Sequence, residues 1–321
     1  MLPTQPFLIG FGTSWLTDVE RQRSFRTHSC PTGTGVYIVQ YAIVENERRE
    51  ATSGQRGICA ICGSAMVAKC GPRVIHHWAH ASRRNCDPWW ENETNWHREW
   101  KALFPPECRE IHHVAPNGEV HRADIRTASG IYVEVQHSSM TDAERQSREE
   151  FYQNLVWVID GRGFRQNFNI YHMLPDPDSE LAKDIIWAKA TRPMRGDANG
   201  MFFRLSTNRD HNPDATKATL KGGWIEGYHT IQNEVEAYYR GHHQYDWVRP
   251  RRTWLDAKCP VYIDFGDDLL VQLDIYDESG LLCVRRVAKR KFVHDAMTET
   301  RATDIGTRFY PIPKPALPDS V

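Results

Sequence analysis

His121-Arg-Ala-Asp-Ile-Arg-Thr-Ala-Ser-Gly-Ile-Tyr-Val-Glu-Val-Gln-His-Ser138 reads as a β-hairpin. Ala128-Ser129-Gly130 fits a three-residue loop whose last position takes a left-handed backbone, and Gly130 supplies it without a steric penalty. That turn predicts Thr127 facing Ile131 and Asp124 facing Glu134. Because side chains alternate along a strand, Ala123, Ile125, Ile131, Val133 and Val135 share a core face. Arg122, Asp124, Arg126, Tyr132, Glu134 and Gln136 share the other, which is expected to form a site. Two carboxylates opposed across a sheet repel, so the pair calls for a cation, either a hard divalent ion or the neighbouring Arg122 and Arg126.

The flanks extend this reading. Residues 141–153 carry helix formers, with Thr141 or Asp142 as N-cap and Glu144 placed for a capping box from Thr141. Leu155-Val-Trp-Val-Ile159 is a short apolar run suited to a strand buried on both faces. Strand, helix and strand predict a parallel unit beside the hairpin. Upstream, Glu93 to Leu103 reads as a helix stopped by Pro105 and Pro106, with Glu93, His97 and Lys101 on one side and Trp96, Trp100 and Leu103 packed inward.

With these residues in place, the run from Cys59 to Gly161 resembles the CoiA-like competence protein family. Its members join a zinc-finger-like segment to a nuclease domain of the PD-(D/E)XK type. The resemblance is carried by Cys59-Ala-Ile-Cys62, His77-Trp-Ala-His80, Trp96-His97 with Lys101, His121-Arg-Ala-Asp124, Glu134-Val-Gln136-His-Ser138, and Arg148 with Phe151-Tyr152 leading into Val156-Trp-Val-Ile-Asp160. It covers about a third of the chain strongly and implies an α/β (α+β), restriction-endonuclease-like mixed sheet flanked by helices. It also implies that Glu93, Asp124 and Glu134 bind Mg²⁺ or Mn²⁺ for hydrolysis of DNA phosphodiesters, RNA not being excluded, in processing of incoming or foreign DNA. The general nuclease pattern has Lys two residues after the Glu. Here Gln136 stands, which carries no charge and can only orient a water or a phosphate. Lys101 is the candidate to supply that charge, and His97 and His121 are candidates for phosphate contact. The alternative reading is a catalytically inactive nucleic-acid or protein-binding module that retains the fold.

A second constellation, Cys59 and Cys62 followed by His76, His77, His80 and Cys86, matches a structural Zn²⁺ site, since thiolates and imidazoles at such spacing close a short loop with too little core to fold alone. The preferred ligands are Cys59, Cys62, His80 and Cys86. His77 is the rival for the third place and Cys70 is a spare.

The chain of 321 residues has net charge -1, 40% apolar residues and a mean hydropathy of -0.60. No stretch is apolar enough to span a bilayer and no leader is evident, so a cytoplasmic location and no membrane partner are expected. Eight cysteines, half at the proposed metal site, fit a reducing interior. Nucleic-acid contact must be local, through Arg122, Arg126, Arg145, Arg148, the group Arg249, Arg251 and Arg252, or the group Arg285, Arg286, Lys289, Arg290 and Lys291. No phosphate-binding Gly loop occurs, so no nucleotide cofactor is expected. The organisation expected is an arm and a strand (1–54, the strand from Gly35 to Glu45), a zinc-finger-like segment (55–88), a nuclease core (89–175) and a C-terminal α+β accessory domain (176–321). The last includes a helix from His229 to Tyr239 and an antiparallel meander after Trp254.

Overall fold

A computed structural model describes residues 39–73, 75–82, 86–87, 89, 93–192 and 199–307. The expected arm, and the first part of the strand predicted from Gly35, lie outside the described residues. The chain forms two compact units, one running to Arg126 and the other starting at Thr127. The division falls inside the stretch 89–175 that the sequence suggests as one core, within the turn after Arg126.

In the first unit, β1 (Tyr41–Val44), β2 (Glu47–Glu50), β3 (Arg56–Ile58), β4 (Ala65–Lys69) and β5 (His77–His80) form a five-stranded antiparallel sheet in the order β2-β1-β3-β4-β5. Its core is small: Trp78 and Met66 are fully buried with Val39, Ala42, Ala51 and Cys59. The stretch expected at 55–88 is therefore part of a wider sheet, which β1 and β2 complete. Helix α1 (Asn95–Ala102) and the hairpin of β6 (Arg109–Val114) and β7 (Val120–Arg126) follow. The helix starts later than expected. Thr94 caps it, accepting a hydrogen bond from the His97 N–H at 3.3 Å, so Glu93 precedes the helix instead of opening it.

The second unit opens on the expected turn. The Thr127 N–H donates to the Ile131 carbonyl at 2.9 Å, and Gly130 sits at φ +87°. After it come β8 (Tyr132–Gln136), α2 (Asp142–Tyr152), β9 (Leu155–Asp160) and β10 (Phe168–Pro175). Next are α3 (Glu180–Asp184), β11 (Ile185–Trp187), β12 (Met201–Arg204), α4 (Leu205–Arg209), β13 (Glu226–Gly227) and α5 (Gln232–Tyr238). The described chain closes with β14 (Tyr239–Trp247), α6 (Arg252–Leu255), β15 (Val261–Asp264), β16 (Leu269–Ile275), β17 (Leu282–Ala288) and α7 (Lys289–Thr298). The main strands of this unit order as β10-β14-β17-β16-β15-β9-β8, and β11, β12 and β13 make a separate small sheet.

β9 runs parallel to both β8 and β15, and every residue from Leu155 to Asp160 is buried, which is why its sequence lacks alternation. The meander β15-β16-β17 is antiparallel, as its turns suggest. Residues beyond 176 are not a separate accessory domain. β14 to β17 hydrogen-bond into the sheet that holds β8 and β9, and Pro175 to Asp178 is a turn within one unit. The face of β8 expected to form an open site is also covered: Tyr132, Glu134 and Gln136 are all buried. Helix α2 accounts for this in part, since the Tyr152 ring lies 4.8 Å from that of Tyr132 and the Arg148 guanidinium donates to Glu134.

Between β10 and β14 the sheet encloses neutral imidazoles. His243 donates from Nδ1 to the Tyr171 carbonyl at 3.0 Å and accepts from the Tyr239 hydroxyl at 2.7 Å. Burial pushes His172, His242 and His243 down to about 4 from the ordinary 6.5. Each favours the fold in its neutral form, so this contribution is complete above pH 6.5 and is lost as pH falls toward 4. Urea unfolding at pH 5 should show a stability lower than at pH 7 by about 2 kcal/mol for each buried imidazole, and His243→Gln should flatten part of that slope.

Candidate metal centre and acidic site

Cys59 follows β3 directly and Cys62 lies in the turn to β4. The Cys59 N–H donates to the Ser64 carbonyl and the Gly63 N–H to the Cys59 carbonyl, both at 2.9 Å, and Gly63 takes φ +68°, a conformation that glycine adopts freely. This tight turn brings the two thiols together. His80 ends β5, opposite Met66 of β4, and Cys86, six residues further on, lies beside it. The ligand atoms of Cys59, Cys62, His80 and Cys86 lie within 4.8 Å of one another. The Cys59 and Cys86 sulfurs are 3.8 Å apart, and His80 Nε2 is 3.3 Å from the Cys62 sulfur and 3.7 Å from that of Cys86. A tetrahedral ion with sulfur at about 2.3 Å and nitrogen at about 2.0 Å sets S···S edges of about 3.8 Å and S···N edges of about 3.5 Å. These four residues can therefore hold one metal ion. The Cys86 sulfur, opposed by burial, holds the Cys59 thiol at about 4, so it is a thiolate at neutral pH, the form that ligates metal.

The rival ligands are placed elsewhere. His77 donates from Nδ1 to the Ile75 carbonyl at 2.7 Å, and the Cys70 thiol donates to the Ala51 carbonyl at 3.4 Å. Strand alternation separates them: His77 and His80 are an odd number of residues apart on β5 and point to opposite faces.

The acids anticipated around Mg²⁺ divide between the units, with Glu93, His97, Lys101 and Asp124 in the first and Glu134 and Gln136 in the second. In the first unit Lys101 is the centre. Its ammonium, in a residue only 3% exposed, pairs with Glu93 and donates to Glu110 at 2.8 Å. Burial opposes its charge, but Glu110, Glu93 and Asp124 together raise its pKa. Burial likewise opposes the charge on Glu110, and Lys101 with Arg122 more than offsets this, leaving its carboxyl below the usual carboxylate range.

Glu110 is the residue that sequence reading missed. It lies on β6 between the Arg109–Ile125 and Ile111–Ala123 pairs, level with Asp124 on β7, and accepts the Gln40 N–H at 3.1 and 3.3 Å. Its φ is +48°, a left-handed backbone that costs a glutamate on the order of 1–3 kcal/mol. The one available signal was its place on a strand directly facing His121-Arg-Ala-Asp124. Glu93 also accepts from Arg98 at 2.8 Å, so its carboxylate is held by two cations. His97 completes a capping box: its Nδ1 accepts the Thr94 N–H at 3.2 Å.

His121, read from sequence as a phosphate contact, is enclosed instead. Its Nδ1 meets Asp87 at 2.9 Å, its Nε2 meets Glu119 at 2.8 Å, and its ring stacks on Trp89. Burial opposes its charge, yet the Asp87 and Glu119 hydrogen bonds prevail and raise its pKa, so both nitrogens serve as donors to carboxylates.

In the second unit Arg148 donates to Glu134 at 2.9 Å and to Glu144 at 2.6 Å, and the Gln136 amide donates to the Ser138 carbonyl and hydroxyl, each at 3.3 Å. Of the basic groups marked on sequence, Arg249, Arg251 and Arg252 are exposed. The later group is partly engaged inside the protein: Arg285 on Gln272, Lys289 on Asp264 and Lys291 on Asp295.

Compared with protein-family models, with curated proteins and with solved structures, the chain matches none of them. Among the described residues no helix is long and apolar enough to cross a membrane.

Removing the ammonium alone leaves two carboxylates buried together. Lys101→Ala should cost about 3–5 kcal/mol in urea unfolding, and combining Lys101→Met with Glu110→Gln should recover much of that loss.

Proposed function

We propose that the protein is a metal-dependent nuclease of the PD-(D/E)XK type, similar to the CoiA-like family, with a structural zinc in its N-terminal part. The observation that carries the reading is the network of Lys101, Glu93 and Glu110 with Asp124 acting on the lysine. Burying the Lys101, Glu110 and Glu93 side chains around one point, with the half-buried Asp124 beside them, is costly and is the arrangement expected where charge has a task. In this reading Glu93, Asp124 and Glu134 hold Mg²⁺ or Mn²⁺, which supplies charge neutralisation and a more acidic water. Lys101 takes the place of the motif lysine that Gln136 cannot replace, and keeps the cluster of acids charged together. Gln136 orients the attacking water through its amide. His97 is the proposed contact for a phosphate oxygen.

The exposed Arg249, Arg251 and Arg252 are the contacts proposed for the DNA backbone. The Arg251 guanidinium stands 5.0 Å over the Phe164 ring, an arrangement that favours a planar cation beside an aromatic surface. The Cys59, Cys62, His80 and Cys86 ligands are proposed to bind zinc, because three sulfurs and one nitrogen suit a borderline-soft ion and the core of that sheet is small.

A second reading has its own support. Glu134 is held by Arg148 and the Gln136 amide by Ser138, so both are occupied within the protein. This favours a module that binds nucleic acid or protein and cuts nothing.

Incubating the protein with labelled single- and double-stranded DNA and RNA in Mg²⁺, Mn²⁺ or EDTA separates the two. Cleavage that EDTA stops and that drops at least a hundredfold in Asp124→Asn supports the nuclease. Salt-dependent binding without cleavage in any metal supports the binder. Metal analysis should return one zinc per chain, and chelation should unfold the first unit, read as loss of amide protection across β3 to β5.

A further inference from the structure

At one end of the main sheet of the second unit a cavity of about 460 Å³ opens where β16 runs past the start of β15. Its volume falls in the range of small-molecule sites. β15 pairs with β16 only at Leu270, Val271 and Gln272, so Leu273, Asp274 and Ile275 form one wall with no β15 partner. Residues of β17 and of the stretch after α6 form others.

The polar groups in this lining are unusual in what they lack. Arg285 donates from Nε and Nη2 to the Gln272 side-chain carbonyl, at 3.1 and 2.6 Å, and has no carboxylate partner among the described residues. A guanidinium has five N–H groups, so this anchor fixes its plane and leaves donors for an anion. Lys258 is exposed at the same cavity and makes no ion pair with a described residue. Trp254 lines the cavity, is only 2% exposed, and its indole N–H has no acceptor among the described residues. A buried donor left in that state costs on the order of 1–3 kcal/mol, which a ligand acceptor would relieve. Asp274 also lines the cavity. Its carboxylate accepts only the neighbouring Ile275 N–H, at 2.8 Å, and meets no cation among the described residues.

Two cations without counter-ions, one buried ring donor and one carboxylate acceptor describe the complement of a ring that accepts hydrogen bonds, a diol and a phosphate. We propose that this cavity binds a nucleoside monophosphate, with Arg285 and Lys258 on the phosphate, the Trp254 N–H on a base acceptor and Asp274 on the sugar hydroxyls. Phosphate recognition through a fixed guanidinium needs no glycine-rich loop, which explains why no motif marks the site. The site is independent of phosphodiester cleavage.

Calorimetric titration of the full chain in EDTA with AMP, GMP, CMP and UMP tests it, alongside adenosine and inorganic phosphate. One-site binding of at least one monophosphate is expected, weakened at least tenfold in Arg285→Gln, about threefold in Lys258→Ala, and unchanged in Asp124→Asn. Lys258 is exposed, so that variant folds whatever Arg285 contributes to the sheet. Adenosine and inorganic phosphate should each bind more weakly than the best monophosphate. The proposal is overturned if no monophosphate binds at millimolar concentration, if folded Arg285→Gln binds as wild type does, or if inorganic phosphate alone binds as tightly as a monophosphate.

Discussion

The buried ammonium of Lys101 is the constraint on which the first unit turns. A lysine removed from water survives as a cation only if acids come with it, and here Glu93 arrives from before α1 and Glu110 from β6. Each of those placements asks for something further. Glu93 is also braced by Arg98, which reaches on to the His76 carbonyl beside β5. Glu110 adopts a left-handed backbone and accepts the N–H of Gln40, the residue just before β1 of the five-stranded sheet. The charge cluster therefore joins the five-stranded sheet to the helix and hairpin that follow it. Packing alone would not do this, because the apolar core of that sheet is small and local.

The second unit solves a different problem. Its parallel strands β8, β9 and β15 are buried on both faces, and the polar residues among them must each find a partner. Glu134 finds Arg148. Asp160 accepts from the Arg162 backbone and side chain and from His137, and Asp264 accepts from Lys289 and the Gly266 N–H. Three neutral histidines between β10 and β14 complete the pattern, and they make the unit sensitive to acid. Charge here is balanced by nearby pairs, whereas Arg285 and Lys258 at the cavity beside β15 make no ion pair among the described residues.

These arrangements bear differently on the chemistry proposed. Asp124 belongs to the cluster around Lys101, and Glu134 belongs to the α2 crossover through Arg148. Arg148 donates to Glu144 as well as to Glu134, so the crossover helix and β8 share one guanidinium.

Much was legible in the chain itself because it was local or periodic. The turn at Ala128-Ser129-Gly130 follows from one glycine, β9 from an unbroken apolar run, α2 from Thr141 as cap, and the ligand set Cys59, Cys62, His80 and Cys86 from spacing. The strand adds the physical reason for preferring His80 to His77, since alternation along β5 turns the two imidazoles to opposite faces. Other features depended wholly on the tertiary structure. Glu110 carries no motif and acquires its role only when β6 lies level with Asp124. Glu134 and Gln136 look like an open face until α2 folds over them, and β14 to β17 look like a separate domain until they join the same sheet. Short-range sterics and hydrogen bonds act between residues that are neighbours in sequence, so sequence exposes them. The partners of a buried charge are set by the fold, and a single chain read alone does not contain their distances.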